Sequence, residues 1–279
     1  MFGRIFGEVF LYECLGLTGD DEENTVTLST YMETHNNWRD FVNNFPSTTK
    51  VQLATMFETS DVHPDIVDDM KIFHRVIVPF PFLRDVLISK GINCISLDTW
   101  TSSLIREKPL ILARRPDPTA VRFLYVGTND LRKNTLNLYK VCEDIFKGTK
   151  HRLIMKTNIT DELKPSKNIT VITGRSTNDY VASLYNWCDY VITFSRGEGV
   201  GMPILEANYF NKPIISHLGG VNMDVQKYIN VPWYELPCKE IPVNLTNVPT
   251  YLHKVFYGNW WDVDETTAKK VIRDCIKFC

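Results

Sequence analysis

The stretch SRGEGVGMPILEA at residues 195–207 decides the predicted fold. It places two carboxylates, Glu198 and Glu206, eight positions apart around a glycine-bearing turn. An apolar run typical of a strand lies directly before it, at residues 190–194, and a run typical of a helix follows. A strand, a glycine turn and a helix in this order are a common setting for phosphate-bearing ligands in α/β proteins.

The glycines and the proline of this stretch favour an anion-binding turn. Gly199 and Gly201 carry no Cβ atom, so their backbone can approach a ligand closely. Pro203 suits the first turn of a helix, which is therefore predicted to begin near Met202. The unsatisfied N–H groups of that turn and the positive end of the helix dipole attract negative charge.

Three charged side chains extend this prediction to a sugar nucleotide. Arg196 offers a planar fork of donors for phosphate, and Glu198 offers acceptors for hydroxyl groups. Glu206 lies roughly one to two turns into the predicted helix. Glycine turns also occur in α/β proteins without any ligand, but here the acids, the arginine and the proline are all placed consistently. The pattern favours a ligand that carries both phosphates and hydroxyls.

Composition and charge indicate a globular protein with two different halves. The chain has 279 residues, of which 44% are hydrophobic and 23% charged, enough for one large domain or two of ordinary size. Residues 1–70 contain thirteen acids against three Lys and Arg, whereas residues 106–175 contain fifteen Lys and Arg against seven acids. The basic half is either a solvated surface or the side that receives a phosphate-rich ligand.

Cysteines and apolar runs give no sign of a metal site or a membrane segment. The seven cysteines are scattered and odd in number, which fits neither a disulfide framework nor a zinc pattern. No apolar run approaches the roughly eighteen residues that cross a bilayer. The N-terminal residues lack the features of a signal peptide. A cytoplasmic location is expected, and no metal is assigned.

From residue 121 onward, short apolar runs alternate with longer amphipathic ones. Such alternation predicts a parallel sheet covered by helices on both faces, with ligands beyond the carboxyl ends of the strands. The predicted strands are residues 122–126, 152–155, 169–172, 190–194 and 213–216, and the helices are residues 134–146, 179–187 and 202–210.

The remaining chain is less regular. Strands are predicted at residues 51–57, 75–78 and 94–97, and helices at 82–90, 250–257 and 265–278; residues 20–50 are ambiguous. The prolines of residues 114–118 mark a linker. Trp260 and Trp261 either line an acceptor groove or pack a returning C-terminal helix against the first lobe. Two α/β lobes with a cleft between them are the predicted architecture.

Several motifs together resemble retaining glycosyltransferases of family 4, which have the GT-B fold of two Rossmann-like lobes. The resemblance covers roughly residues 51–279 and is most specific in its second half. Its motifs are EGVGMPILEA at 198–207, NKPIIS at 211–216, GG at 219–220, FLYVG at 123–127 with Arg132-Lys133, ITG at 172–174, LYNWCD at 184–189, and MFET at 56–59.

The resemblance implies particular roles for matching residues. Glu198 would hold hydroxyls of the donor sugar, Glu206 would hold ribose hydroxyls, and Lys133 with Arg196 or Arg132 would neutralise the diphosphate. The implied catalytic residues are Glu198, Lys133, Arg196 and Glu58. The implied donor-binding residues are Gly127, Thr128, Arg132, Gly174, Arg175, Gly199, Val200, Gly201, Glu206, Gly16 and Gly19.

The sequence departs from the family pattern in two main respects. Thr128 stands where the family has an arginine, so that Arg132 or Arg196 would have to replace this phosphate ligand. The first lobe is short, and GLTG at residues 16–19 is either a remnant of the family's first glycine loop or a simple turn. Compact forms of this kind resemble viral or phage enzymes, which would act in the host cytoplasm.

The domain expectations follow from the same resemblance. Residues 1–115 would form the acceptor-side lobe and residues 119–250 the lobe that binds the nucleotide-sugar donor. Residues 251–279 would form helices that pack back on the first lobe.

The implied activity is transfer of a hexose or pentose from a UDP- or GDP-sugar with retention of anomeric configuration, without a further cofactor. The acceptor stays open: a glycan, a lipid-linked sugar, a small molecule or a modified base in DNA. The acidic first lobe argues against a long polyanion, whereas the basic residues after position 106 would suit one. Thr128 and the short lobe suggest a second class, an inactive protein that binds nucleotide sugars. A dinucleotide oxidoreductase is disfavoured because no G-x-G-x-x-G follows the first strand of either lobe.

Overall fold

The computed structural model describes residues 25–30, 32–98, 117, 119–158, 162–246 and 248–277. The chain divides into two compact units. Of the described residues, unit 1 contains those up to residue 98 together with 198–200 and 241–260, and unit 2 contains the others. Within the described ranges, no helix is long and apolar enough to span a membrane. The predicted linker at 114–118 lies outside the described residues except for Asp117.

Unit 1 is built on a parallel sheet whose four strands follow one another in chain order. Leu53, Val76 and Ile77 are fully buried in these strands. Such continuous apolar runs are typical of parallel strands covered on both faces. The elements are β1 (Thr25–Ser29), α1 (Trp38–Asn43), β2 (Lys50–Ala54), α2 (Pro64–Met70), β3 (Arg75–Val78), α3 (Pro81–Ser89) and β4 (Cys94–Ser96), with a 3₁₀ helix at Met32–Asn37.

Unit 2 contains a six-stranded sheet in which every neighbouring pair of strands is parallel. Its strands are β5 (Arg122–Val126), β6 (Arg152–Lys156), β7 (Ile169–Ile172), β8 (Tyr190–Ile192), β9 (Ile214–Ser216) and β10 (Trp233–Glu235). Its helices are α4 (Thr135–Phe146), α5 (Asn178–Trp187), α6 (Met202–Tyr209), α7 (Asn222–Val225) and α8 (Glu265–Lys277). The alternation predicted from residue 121 onward is confirmed.

The strand order of unit 2 is that of a Rossmann fold. The strands lie in the order β7, β6, β5, β8, β9, β10, so the order reverses between the neighbours β5 and β8. In sheets of this topology, ligands bind beyond the carboxyl ends of the strands at the point of reversal. The loops that follow Val126 and Ile192 therefore lie where a ligand is expected.

The last helix packs on unit 2. Buried Ala268, Ile272 and Cys275 of α8 share a core with buried residues of α4, and the two helices contact each other. An apolar stripe at this spacing gives α8 one face to bury, and α4 covers it. The resemblance predicts that residues 251–279 pack on the first lobe. In the structure, residues 241–260 group with unit 1, whereas α8 lies in unit 2.

Two strands near the C-terminal end were not predicted. These are β11 (Cys238–Pro242) and β12 (Asn259–Val263), which form a two-stranded sheet. The predicted helix at 250–257 is wrong beyond its first turn, because only Thr250–Leu252 is helical, as a 3₁₀ turn. A bridge between Tyr257 and Asp61, followed by Gly258 with φ 93°, leads the chain into β12. Trp260 and Trp261 are buried in β12.

Candidate functional site

Two loops meet at the point of strand reversal in unit 2. We call residues 127–134, after β5, the β5 loop, and residues 193–197, after β8, the β8 loop. The Arg196 N–H donates to the Arg132 carbonyl at 2.6 Å, and Arg132 Nη1 donates to the Gly197 carbonyl at 2.7 Å. Backbone and side-chain bonds thus fasten the two loops to each other.

The buried side chain of Tyr125 holds the β5 loop in place. The Tyr125 hydroxyl donates to the Thr128 carbonyl at 2.8 Å and lies 3.0 Å from Thr135 Oγ1. A Cβ atom on Gly127 would lie 2.6 Å from the Tyr125 hydroxyl oxygen, so only glycine fits there without displacement. The predicted donor-binding residues Gly127 and Thr128 are therefore placed by the packing beneath them.

Asp130 orders the rest of this loop. Its Oδ1 accepts from the Lys133 N–H at 2.8 Å, and its Oδ2 accepts from the Thr128 hydroxyl at 2.5 Å. Burial raises the pKa of Asp130. The charge of Arg132 and these two hydrogen bonds lower the pKa by more, so that it lies below its usual value. The carboxylate is consequently ionised at neutral pH and shapes the segment that carries Lys133.

Lys133 lies at the end of the β5 loop, where the chain enters α4. Its side chain is buried, with 9% of its surface exposed. The next residue, Asn134, has φ 52° and caps α4. A largely buried lysine at the carboxyl edge of a parallel sheet suits the neutralisation of phosphate charge.

Arg196 is engaged within the protein. Its Nε donates to Asp262 Oδ1 at 2.7 Å, and its Nη1 donates to the Leu131 carbonyl at 3.0 Å. Asn134 Nδ2 lies 3.3 Å from the same Asp262 oxygen. The resemblance implies that Arg196 or Arg132 helps Lys133 to neutralise the diphosphate; in the structure the Arg196 guanidinium bonds to the β5 loop and to β12.

A buried histidine supports the β8 loop and was missed by sequence reasoning. His217 Nδ1 accepts from the Gly219 N–H at 2.9 Å, so its Nε2 carries the proton that bonds to the Ser195 carbonyl. Ser195 in turn donates from Oγ to the Gly197 carbonyl at 3.0 Å. In the sequence, only the glycine pair at 219–220 after β9 indicates that the segment of His217 contacts the β8 loop.

Helix α6 begins beside the β8 loop, as the sequence predicts. Gly201 caps it with φ 71°, a left-handed conformation that favours glycine, and Pro203 occupies its first turn. On its second turn, Glu206 is buried, and the Tyr185 hydroxyl donates to Glu206 Oε2 at 2.7 Å. The predicted anion end of α6 and a buried carboxylate thus lie on one helix.

A second buried lysine lies farther along the same sheet edge. Lys156 ends β6 and is paired with Val126 in the sheet. Its Nζ donates to the carbonyls of Gly174 at 2.6 Å and Thr157 at 3.3 Å, and burial lowers its pKa. Sequence reasoning missed Lys156, although a lysine directly after the apolar run LIM is a signal for it. Gly174 itself has φ 78° and is exposed, as is Arg175.

The other predicted residues fall in unit 1 or outside the described chain. Glu198 to Val200 group with unit 1, and a Cβ atom on Gly199 would lie 2.8 Å from the sulfur of Met56. Glu198 and Glu58 are both half-buried. Gly16 and Gly19 lie outside the described residues. In the part of the chain that the structure describes, no three His, Cys, Asp or Glu side chains are grouped as metal ligands.

Residues 114–227 match the family model of Glycosyl transferases group 1. This segment contains the β5 loop, the β8 loop and helix α6. No curated protein matches the sequence.

Solved structures share the fold over nearly the whole chain. TarM has a TM-score of 0.58 at 12% identity, covering 95% of this chain and 54% of its own. Sucrose-phosphate synthase from Thermosynechococcus elongatus has a TM-score of 0.56 at 13% identity, covering 99% of this chain and 77% of its own. The chain has the GT-B fold.

A third structure adds ligands to the comparison. It is a mutant of S. aureus TarM in complex with Fondaparinux, alpha-GlcNAc-glycerol and UDP, with a TM-score of 0.53 at 13% identity. It covers 86% of this chain and 50% of its own. The present chain therefore spans about half the length of the TarM chains that it matches.

Proposed function

We propose that the protein is a glycosyltransferase that moves a sugar from a nucleoside-diphosphate sugar to an acceptor with retention of anomeric configuration. One observation carries the proposal. The glycine-capped start of α6 and the lysine-bearing β5 loop lie at the strand reversal of a Rossmann-type sheet, within the segment that matches group 1 glycosyl transferases. Retention is supported by the motif resemblance.

The donor would bind along the carboxyl edge of the unit 2 sheet. The positive end of the α6 dipole and the ammonium of Lys133 would hold the diphosphate. Glu206 would accept hydrogen bonds from the ribose, and Gly174 with Arg175 would line the base. Lys156 adds a buried positive charge to this edge. Glu198 would hold hydroxyls of the transferred sugar.

The chemistry requires charge stabilisation on the leaving group. The bond between the anomeric carbon and the diphosphate oxygen breaks, and the acceptor oxygen bonds to that carbon. The products are the glycosylated acceptor, the nucleoside diphosphate and the proton from the acceptor hydroxyl. Removing one preorganised donor from such a site typically slows the reaction by about 100-fold or more.

A UDP- or GDP-sugar is the proposed donor, and a hydroxyl-bearing saccharide or lipid-linked saccharide is the proposed acceptor. UDP and a GlcNAc-glycerol are bound in the S. aureus TarM structure, which supports this choice. A small molecule or a modified base in DNA is an alternative acceptor. Binding to duplex DNA at two salt concentrations tests that alternative, and the absence of salt-sensitive binding would count against DNA.

One observation favours an inactive nucleotide-sugar-binding protein as the second candidate. Thr128 replaces an arginine of the family pattern, and the guanidinium of Arg196 is bound to Asp262. Fewer basic groups are therefore available to the leaving diphosphate than the family pattern provides. Calorimetry would show nucleotide binding by an enzyme and by an inactive binding protein alike. Only an enzyme would also release the nucleoside diphosphate from a sugar-nucleotide donor.

The decisive experiment is a mass-spectrometric transfer and donor-hydrolysis assay with a panel of UDP- and GDP-sugars. Wild-type protein should turn over at least one donor, whereas Glu198→Gln and Lys133→Ala should each slow turnover by about 100-fold. The matched control is Lys277→Ala, at an exposed lysine paired with Asp274 on α8. Wild-type rates in both site variants would overturn the assignment. NMR of the product linkage tests retention, and an inverted anomer would refute it.

A further inference from the structure

Glu206 shares its carboxylate with a buried tyrosine from the neighbouring helix. The Tyr185 hydroxyl donates to Glu206 Oε2 at 2.7 Å. Tyr185 is 0% exposed and Glu206 is 5% exposed. A hydrogen bond to a carboxylate is shorter and stronger than one between neutral groups, and this one is shielded from water.

The tyrosine ring is itself fixed in place. It stacks on Phe210 with the ring centres 5.4 Å apart and the planes 12° from parallel. The Phe210 N–H donates to the Glu206 carbonyl at 3.0 Å, so the stacking partner lies one turn after the carboxylate. The Tyr185 carbonyl accepts from Cys188 Sγ at 3.2 Å at the end of α5. The hydroxyl therefore meets Glu206 from a fixed direction.

The phenol of Tyr185 stays protonated at neutral pH. Burial raises the pKa of Tyr185 well above its ordinary value, and the Glu206 carboxylate raises it further. Tyr185 is therefore a donor to Glu206 at neutral pH.

We propose that Tyr185 is a positioning residue for ribose recognition, which holds Oε2 of Glu206 so that the second carboxylate oxygen accepts from one ribose hydroxyl of the donor. The terminal torsion of a glutamate is broad, so a fixed bond to one oxygen is needed to orient the other. The inference rests on the proposed function, because it assigns a ribose-bearing nucleotide to this site. Tyr185 itself would contact no part of the ligand.

The test measures how strongly the protein distinguishes ribose from deoxyribose. Calorimetry would give the Kd of the tightest-binding nucleoside diphosphate and of its 2′-deoxy and 3′-deoxy forms, for wild type, Glu206→Gln and Tyr185→Phe. Wild type should prefer the ribose form by about tenfold over at least one deoxy form. Tyr185→Phe should lose most of that preference.

The matched control is Tyr190→Phe, a buried tyrosine of unit 2 whose hydroxyl donates to the Cys275 carbonyl at 3.3 Å. It removes a phenol of the same kind and should leave the ribose preference unchanged. Should Tyr185→Phe fail to fold, Phe210→Leu removes the stacking and keeps both hydrogen-bonding groups. This variant should also reduce the preference.

The outcomes separate the two levels of the proposal. If wild type binds no nucleoside diphosphate, the proposed function fails. If wild type binds with a ribose preference that a folded Tyr185→Phe or Phe210→Leu retains, the role of Tyr185 is refuted and the proposed function stands. Equal loss of preference in Tyr190→Phe would likewise refute it, because the effect would then be a general one of unit 2.

Discussion

Arg196 Nε donates to Asp262 Oδ1 at 2.7 Å, across 66 positions of the chain. The Arg196 and Asp262 side chains are about four-fifths buried, with exposed fractions of 20% and 23%. The Trp261 N–H also donates to the Arg196 carbonyl at 2.8 Å. The β8 loop is thus tied to β12 by both the side chain and the backbone of one residue.

This relationship predicts strong coupling between the two residues. Arg196→Met and Asp262→Asn should each lower the free energy of unfolding, on the order of 1–2 kcal/mol, because each leaves the other partner less well satisfied. The double variant should be little worse than either single variant. Urea unfolding of the four proteins measures the coupling. Fully additive losses would contradict the bracing role.

Substitution of Gly201, the left-handed glycine before α6, should lower both stability and ligand binding. Gly201→Ala places a Cβ atom at φ 71°, where its nearest neighbours lie at ordinary contact distance. The substitution should cost roughly 1–2 kcal/mol of stability through backbone strain. It should also weaken nucleoside diphosphate binding, because the start of α6 shifts.

Gly148→Ala is the control for this variant. Gly148 has φ 75° and nothing within 4 Å of an added Cβ atom, so it carries the same strain away from the α6 turn. Thermal unfolding should show similar losses for both variants, whereas calorimetry should show weaker binding only for Gly201→Ala. Equal binding by the two variants would argue against a ligand at the start of α6.

Lys156 should affect both the pH dependence of stability and the binding of ligand. Burial lowers the pKa of Lys156 below its ordinary value of 10.5, so the unfolded chain holds this proton more tightly than the folded protein. Below the folded pKa the charge therefore costs stability, and this cost disappears as pH rises toward 10.5.

Lys156→Met should accordingly flatten the rise of the free energy of unfolding on the alkaline side. The same variant should weaken nucleoside diphosphate binding, because a positive charge at the sheet edge is lost. Urea unfolding between pH 7 and 10 and calorimetry at pH 7 measure the two effects. An unchanged pH dependence of stability together with unchanged affinity would contradict both parts.

Local patterns predicted the sheet of unit 2 well. Strands β5 and β7 of unit 2, and β3 of unit 1, begin and end at the predicted residues, and each apolar run there is followed by a glycine, a threonine or a proline. The start of α6 was predicted at Met202 from Gly201 and Pro203, whose backbone preferences act over one or two residues. The strand order was not predicted in detail, since it depends on pairing between distant segments.

The features that were missed depend on long-range partners. Strand β12 pairs with β11, and neither has the alternation that identifies an isolated strand. The engagement of Arg196 with Asp262 and the support of Ser195 by His217 join residues far apart in the chain. A fork of donors predicts affinity for an anion, but only the fold decides whether that anion is a phosphate or an aspartate.

The central claim is that unit 2 binds a nucleoside diphosphate at the β5 loop and the start of α6. Calorimetric titration of wild type, Lys133→Ala and the control Lys277→Ala with UDP, GDP and ADP tests it most directly. The account predicts that wild type and Lys277→Ala bind at least one of them with equal Kd, between about 1 μM and 1 mM. Lys133→Ala should bind it at least about tenfold more weakly. Absence of binding to wild type, or equal affinity in Lys133→Ala, would contradict the account.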